Sequence, residues 1–135
     1  MEYLAVAILL LGLAVFLVLR SRAERSDELE PYRPDALSRT FDSDKAYEFA
    51  RRRLDGCDDL DATQIRDVLG WCSEYVRSHV APLNGGGPRD GWLMPPNMFE
   101  VVEHVQRRAG EHDLVVKDEC LWEIVGAHDD FMRSG

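Results

Sequence analysis

The sequence predicts an all-α protein, a single N-terminal transmembrane helix followed by a small cytoplasmic helical bundle of about four helices. Three features predict it. Residues 3–19 form an apolar run without a charge, residues 43–135 carry four segments with apolar positions at helical spacing, and alternating strands are absent from the pattern. The chain of 135 residues accommodates one folded core plus appendages. It divides into a transmembrane anchor over 1–19, a polar juxtamembrane linker over 20–42 and an acidic helical domain over 43–135.

As a helix the run YLAVAILLLGLAVFLVL spans about 26 Å, enough to cross the hydrocarbon. Tyr3 suits the headgroup zone at one end, and Arg20 and Arg22 close the other, with Arg25 following. A cleaved signal peptide would begin with a positive stretch and finish with small residues. This run instead follows Met1 and Glu2 and leads into LRSRAERS, so the helix is expected to be retained. Because Arg20, Arg22 and Arg25 lie after the helix and only Glu2 before it, the N-terminus is expected outside and the domain in the cytoplasm. Gly12, Ala5, Ala7 and Ala14 form no small-xxx-small pair, which favours a plain lipid-facing anchor in the cell membrane.

Pro31 and Pro34 deny a continuous helix through the linker, and PYRP reads as a stiff tether. The first predicted helix, about 43–55, places Tyr47, Ala50 and Leu54 on one stripe, with Arg51, Arg52 and Arg53 near its C-terminal end. Gly56 ends it. In the second, Asp61 caps the start and Gln64 closes a capping box. Ile65, Val68, Leu69, Cys72, Val76 and Val80 make its apolar face before Pro82. The third follows Pro95 and Pro96, with Asn97 as cap and Glu100 at the box position. Met98, Val101, Val102, Val105 and Ala109 face inward, and Gly110 ends the helix. The fourth, about 117–132, buries Leu121, Ile124, Val125, His128 and Met132.

A net charge of −9 argues against nucleic acid as a partner, since phosphate binding needs concentrated Lys and Arg. Cys57, Cys72 and Cys120 are an odd number without a close pair, so they read as free thiols in a reducing compartment.

Motifs that would carry chemistry are sparse. The four histidines show neither Glu-x-x-His nor HExxH spacing, so no metal site and no cofactor is expected. His112-Asp113 and His128-Asp129 each resemble the pair that names a family of metal-dependent phosphohydrolases. That family also requires an upstream histidine, a downstream aspartate and a larger helical domain. A calcium loop begun at Asp59 would need Gly and Glu where Gln64 and Gly70 stand. Residues 84–88, NGGGP, are followed by neither Lys-Ser nor Lys-Thr, so they read as a flexible loop.

Trp92, Leu93 and Met94 put three bulky apolar groups into an otherwise polar connection, and are either core closure or a partner-binding hook. The resulting expectation is a membrane-anchored interaction module, an accessory or regulatory protein presenting an acidic domain to a membrane-associated protein partner. A small metal-dependent hydrolase using His and Asp residues, or a minor subunit of a larger membrane complex, are the alternatives. Oligomeric state has no signature in the sequence.

Overall fold

The computed structural model describes residues 31–134. The anchor, its flanks Tyr3, Arg20, Arg22 and Arg25, and the first part of the linker lie outside the described residues. Among the described residues, no helix is long and apolar enough to cross a membrane.

A 3-10 turn at Pro34–Leu37 leads into four helices: α1 (Ser43–Arg51), α2 (Ala62–His79), α3 (Met98–Glu111) and α4 (Asp118–Arg133). Between α2 and α3 lies a small antiparallel sheet of two strands, β1 (Ala81–Pro82) and β2 (Leu93–Met94). The mostly helical class agrees with the sequence reading. The sheet is an addition to it, since two-residue strands are too short to show a period of two.

Local chemistry explains where the helices start. The Asp42 carboxylate caps α1 by accepting the N–H groups of Asp44 and Lys45 at 3.0 and 3.2 Å. At α2 the capping box is complete, with Gln64 N–H donating to Asp61 at 2.8 Å and Asp61 N–H to Gln64 at 3.0 Å. Asn97 caps α3 by accepting from Phe99 N–H at 2.9 Å. Glu100 does not close a box there and instead accepts the Tyr75 hydroxyl at 3.3 Å. The N-terminus of α4 has no side-chain cap, but Asp118 and Glu119 in its first turn complement the helix dipole.

The end of α3 departs from expectation. Gly110 stays helical, and the chain turns instead at Asp113, whose φ of 54° is left-handed. Leu114 N–H reaches back to the Ala109 carbonyl at 2.8 Å and Asp113 N–H to Gly110 at 3.2 Å, the bonds of a Schellman motif.

The core is built around α2, which packs against α1, α3 and α4. Val68, Leu69 and Cys72 meet Val105, Leu121 and Ile124 there, all fully buried. Each such aliphatic side chain stabilises the fold by about 1.5–3 kcal/mol through burial alone. In α1 the inward stripe is Ala46 and Ala50, not Tyr47 and Leu54, which are only partly covered. Tyr47 lies under the Arg66 guanidinium, 4.6 Å from its ring centre.

Two further readings of the sequence need correction. The domain begins before residue 43, because Tyr32, only 2% exposed, and Ala36 belong to the core. The thiols are not all free either. A disulfide joins Cys57 to Cys120, with Cα atoms 4.9 Å apart across a sequence separation of 63. Cys72 remains a thiol, fully buried in α2, where loss of solvation pushes its pKa up to about 12.

Candidate functional site

The hairpin that carries Trp92, Leu93 and Met94 is fastened to the start of the domain. Ala81 pairs with Met94 and Pro82 with Leu93. Pro82 has no N–H to give, and Leu93 uses both of its backbone groups on the other side. Tyr32 N–H donates to Leu93 O at 2.7 Å, and Leu93 N–H returns a bond to Tyr32 O at 2.9 Å. A proline is therefore tolerated inside this short sheet without an orphaned partner. The connecting loop closes through Leu83 N–H to Trp92 O and Gly91 N–H to Leu83 O, at 2.8 and 3.1 Å. Gly91 sits at φ 82°, a conformation that side-chain-bearing residues rarely adopt.

The three hook residues thus have different surroundings. Leu93 packs on the core, Trp92 is half-buried with the Arg89 guanidinium 5.5 Å from its ring centre, and Met94 is 37% exposed. Beyond the two prolines, Phe99 is 41% exposed and meets Trp122 of α4 edge-on at 5.0 Å. A second exposed apolar residue thus lies beyond the predicted hook, in the first turn of α3. Phe99 had no signal in the sequence, because its position beside the α3 cap made it one more apolar residue of an amphipathic helix.

Three of the four histidines lie along the seam of α2 and α3. Trp71, Tyr75 and His79 recur every four residues on α2 and so share one face. His79 stacks on Tyr75 at 3.9 Å, His104 approaches the other side of that seam at 4.9 Å from Tyr75, and His112 stacks on Trp71 at 5.1 Å. Glu74 lies 3.6 Å from both His104 Nε2 and Arg108 Nε, ion-pair distances too long for hydrogen bonds. These rings pack on one another and do not converge on a point. Among the described residues no group of three or more His, Cys, Asp or Glu is placed to hold a metal ion.

His128 is apart from them, 1% exposed in α4, with Nε2 lacking a hydrogen-bond partner. Burial lowers its pKa to about 4, so the ring is neutral at physiological pH. Its neighbour Asp129 accepts the Tyr32 hydroxyl at 2.5 Å and pairs with Arg133 at 3.0 Å. The two His-Asp pairs are therefore in unlike settings, His112 on the surface against Trp71 and His128 in the core. They do not assemble one site.

A cleft of about 640 Å³ opens between the 3-10 turn, the start of α1 and the end of α4, with Arg39, Lys45 and Arg77 on its walls. Arg77 is engaged in holding the fold. It donates to Ser73 Oγ at 3.0 Å, to Leu37 O at 3.4 Å and to Arg39 O at 2.8 Å. The Asp42 carboxylate in the same cleft is occupied by its cap.

The chain matches no protein-family model, and no curated protein or solved structure is detectably similar to it.

Proposed function

We propose that this protein is a membrane-anchored interaction module, with residues 1–19 crossing the cell membrane and the helical domain in the cytoplasm, where it engages a membrane-associated protein. The observation that carries the reading is the exposed pair Met94 and Phe99, at 37% and 41%, on either side of the two prolines before α3; Val115, between α3 and α4, is the other large exposed apolar residue among those described. Methionine and aromatic side chains supply large, adaptable contact area and are enriched at protein interfaces. Met94 shares its hairpin with Leu93, which packs on the core, and with Trp92.

The tether gives such a surface its effect. From Arg20 to Tyr32 the chain reaches at most about 40 Å, which confines the domain to the membrane surface and raises its effective concentration toward a membrane-bound partner. The net charge of −9 opposes contact with anionic lipid and favours a basic patch on the partner.

Co-purification of the full-length protein from gently solubilised native membranes tests this. A stoichiometric protein partner, lost on Phe99→Asp or Met94→Asp, is the expected result. Recovery of the chain alone, or a partner indifferent to both substitutions, contradicts it.

A further inference from the structure

The loop between α1 and α2 is stitched to α4 by one covalent and several non-covalent contacts. Cys57 is bonded to Cys120 in the first turn of α4. One turn on, the Glu123 carboxylate accepts the N–H groups of Asp55 and Gly56 at 3.1 and 3.0 Å. Lys117 pairs with Asp59 at 2.7 Å, and Arg53 lies 3.8 Å from Asp130. The disulfide is therefore not alone in holding this loop, and opening it leaves the loop with fasteners on both sides.

The surroundings also accommodate a reduced Cys57. Its sulfur lies 3.5 Å from the Cys120 carbonyl oxygen and 3.8 Å from Glu123 Oε2, so a thiol formed there has acceptors at hand. Both cysteines are buried, Cys57 at 8% and Cys120 at 2% exposure, but Asp55, Gly56 and Asp58 beside Cys57 are open to solvent, so Cys57 is the more accessible sulfur. The third cysteine cannot intervene, because Cys72 is fully buried in the core. In the cytoplasm, where the reading above places this domain, disulfides in most organisms are transient and serve catalysis or redox sensing.

We propose that Cys57 and Cys120 are a reversible redox pair, a dithiol in the resting cytoplasm that closes to the disulfide when low-molecular-weight thiols become oxidised. This rests on the cytoplasmic placement of the domain. The chemistry is two successive exchanges. The Cys57 thiolate attacks one sulfur of a small-molecule disulfide, releasing one small thiol and leaving a mixed disulfide. The Cys120 thiolate then attacks the Cys57 sulfur and expels the second small thiol. Two protein thiols and one small disulfide become one protein disulfide and two small thiols. Cys120 lies two residues before Trp122, whose ring meets the exposed Phe99 edge-on at 5.0 Å.

The test is acid quenching of intact cells that express the full-length protein, followed by alkylation after denaturation and mass spectrometry of each cysteine. Cells are sampled before diamide treatment, after it, and after its removal, with a C-terminal topology reporter fused in parallel. Expected are Cys57 and Cys120 alkylated at rest, protected by at least several-fold after diamide and alkylated again on recovery, with Cys72 alkylated throughout. A bond present at rest and unchanged by treatment, with the reporter cytoplasmic, overturns the redox pair and leaves the functional reading standing. The same permanent bond with the reporter outside overturns the cytoplasmic placement and the redox pair together. Thiols that stay reduced under diamide overturn the redox pair.

Discussion

The Tyr32 hydroxyl donates to the Asp129 carboxylate at 2.5 Å, joining residues 97 positions apart. Arg133 completes the group, pairing with Asp129 at 3.0 Å and lying 4.9 Å from the centre of the Tyr32 ring. Burial, and then the charge of Asp129 and the bond to it, raise the phenol's pKa above its ordinary value. Tyr32 thus stays a neutral donor across the physiological range. Because its backbone also pairs with Leu93, one residue at the start of the described domain ties the entering chain to the hairpin and to α4.

Tyr32→Phe removes only the hydroxyl, and Asp129 keeps Arg133. A loss of about 1–2 kcal/mol in unfolding free energy is expected, read from urea denaturation of the full-length protein in detergent. An unchanged midpoint would show that the phenol is not a fastener of the entry segment.

His128 gives the fold a pH dependence of definite sign. Its folded pKa, lowered to about 4, lies below the unfolded value near 6.5, so between these the unfolded chain binds the extra proton. Stability from this group is complete above pH 6.5 and falls as the pH drops toward 4, by roughly 3 kcal/mol in all. Comparing urea midpoints of the native chain and His128→Leu across this range isolates the effect. Parallel pH profiles would refute the assignment.

Asp113 holds the left-handed position that glycine fills in most Schellman motifs. Asp113→Gly relieves the Cβ clash at the cost of some unfolded-state entropy, and a net stabilisation of about 0.5–1 kcal/mol is expected. Thermal denaturation should show a small rise in Tm, and a fall would mean that the Asp113 side chain matters more than its backbone.

The disulfide closes a loop across a sequence separation of 63, so reducing it frees the unfolded chain by at most about 4 kcal/mol. The four non-covalent contacts around it and the core of α2 do not depend on the bond, so the reduced protein is expected to stay folded. Circular dichroism with and without a phosphine reductant should show the same helix content at 25 °C and a Tm lower by several degrees. Loss of helix at 25 °C would show that those contacts do not suffice.

How much of this was readable in advance depended on the reach of each interaction. The Asp61–Gln64 box and the Asn97 cap join residues two or three apart, so the sequence displays them whole. The apolar faces of α2, α3 and α4 were legible because valine, leucine and isoleucine mark them at each turn. In α1 the buried residues are Ala46 and Ala50, whose small side chains barely register against Tyr47 and Leu54. Cys57–Cys120 and Tyr32–Asp129 exist only once the helices have packed, and neither residue pair has a local signature. The ring seam was not read from the sequence: Trp71, Tyr75 and His79 stand at intervals of four but are not the aliphatic positions that mark the apolar face of α2. It also depends on α3 lying beside α2, which brings His104 and His112 up to it. Of Trp92, Leu93 and Met94, only Met94 is exposed, a distinction set by the pairing of the hairpin and not by the local sequence, and Phe99 is exposed as well.

The central claim, that this domain uses Met94 and Phe99 to hold a membrane-associated protein, is tested most directly by comparing native and Phe99→Asp proteins in co-purification from solubilised membranes. Phe99 lies in the first turn of α3, where an aspartate favours the helix dipole, so the variant is expected to fold. The account predicts a stoichiometric partner with the native chain and at least a tenfold loss with the variant, at equal recovery and helix content. Equal partner recovery from both, or none from either, would contradict it.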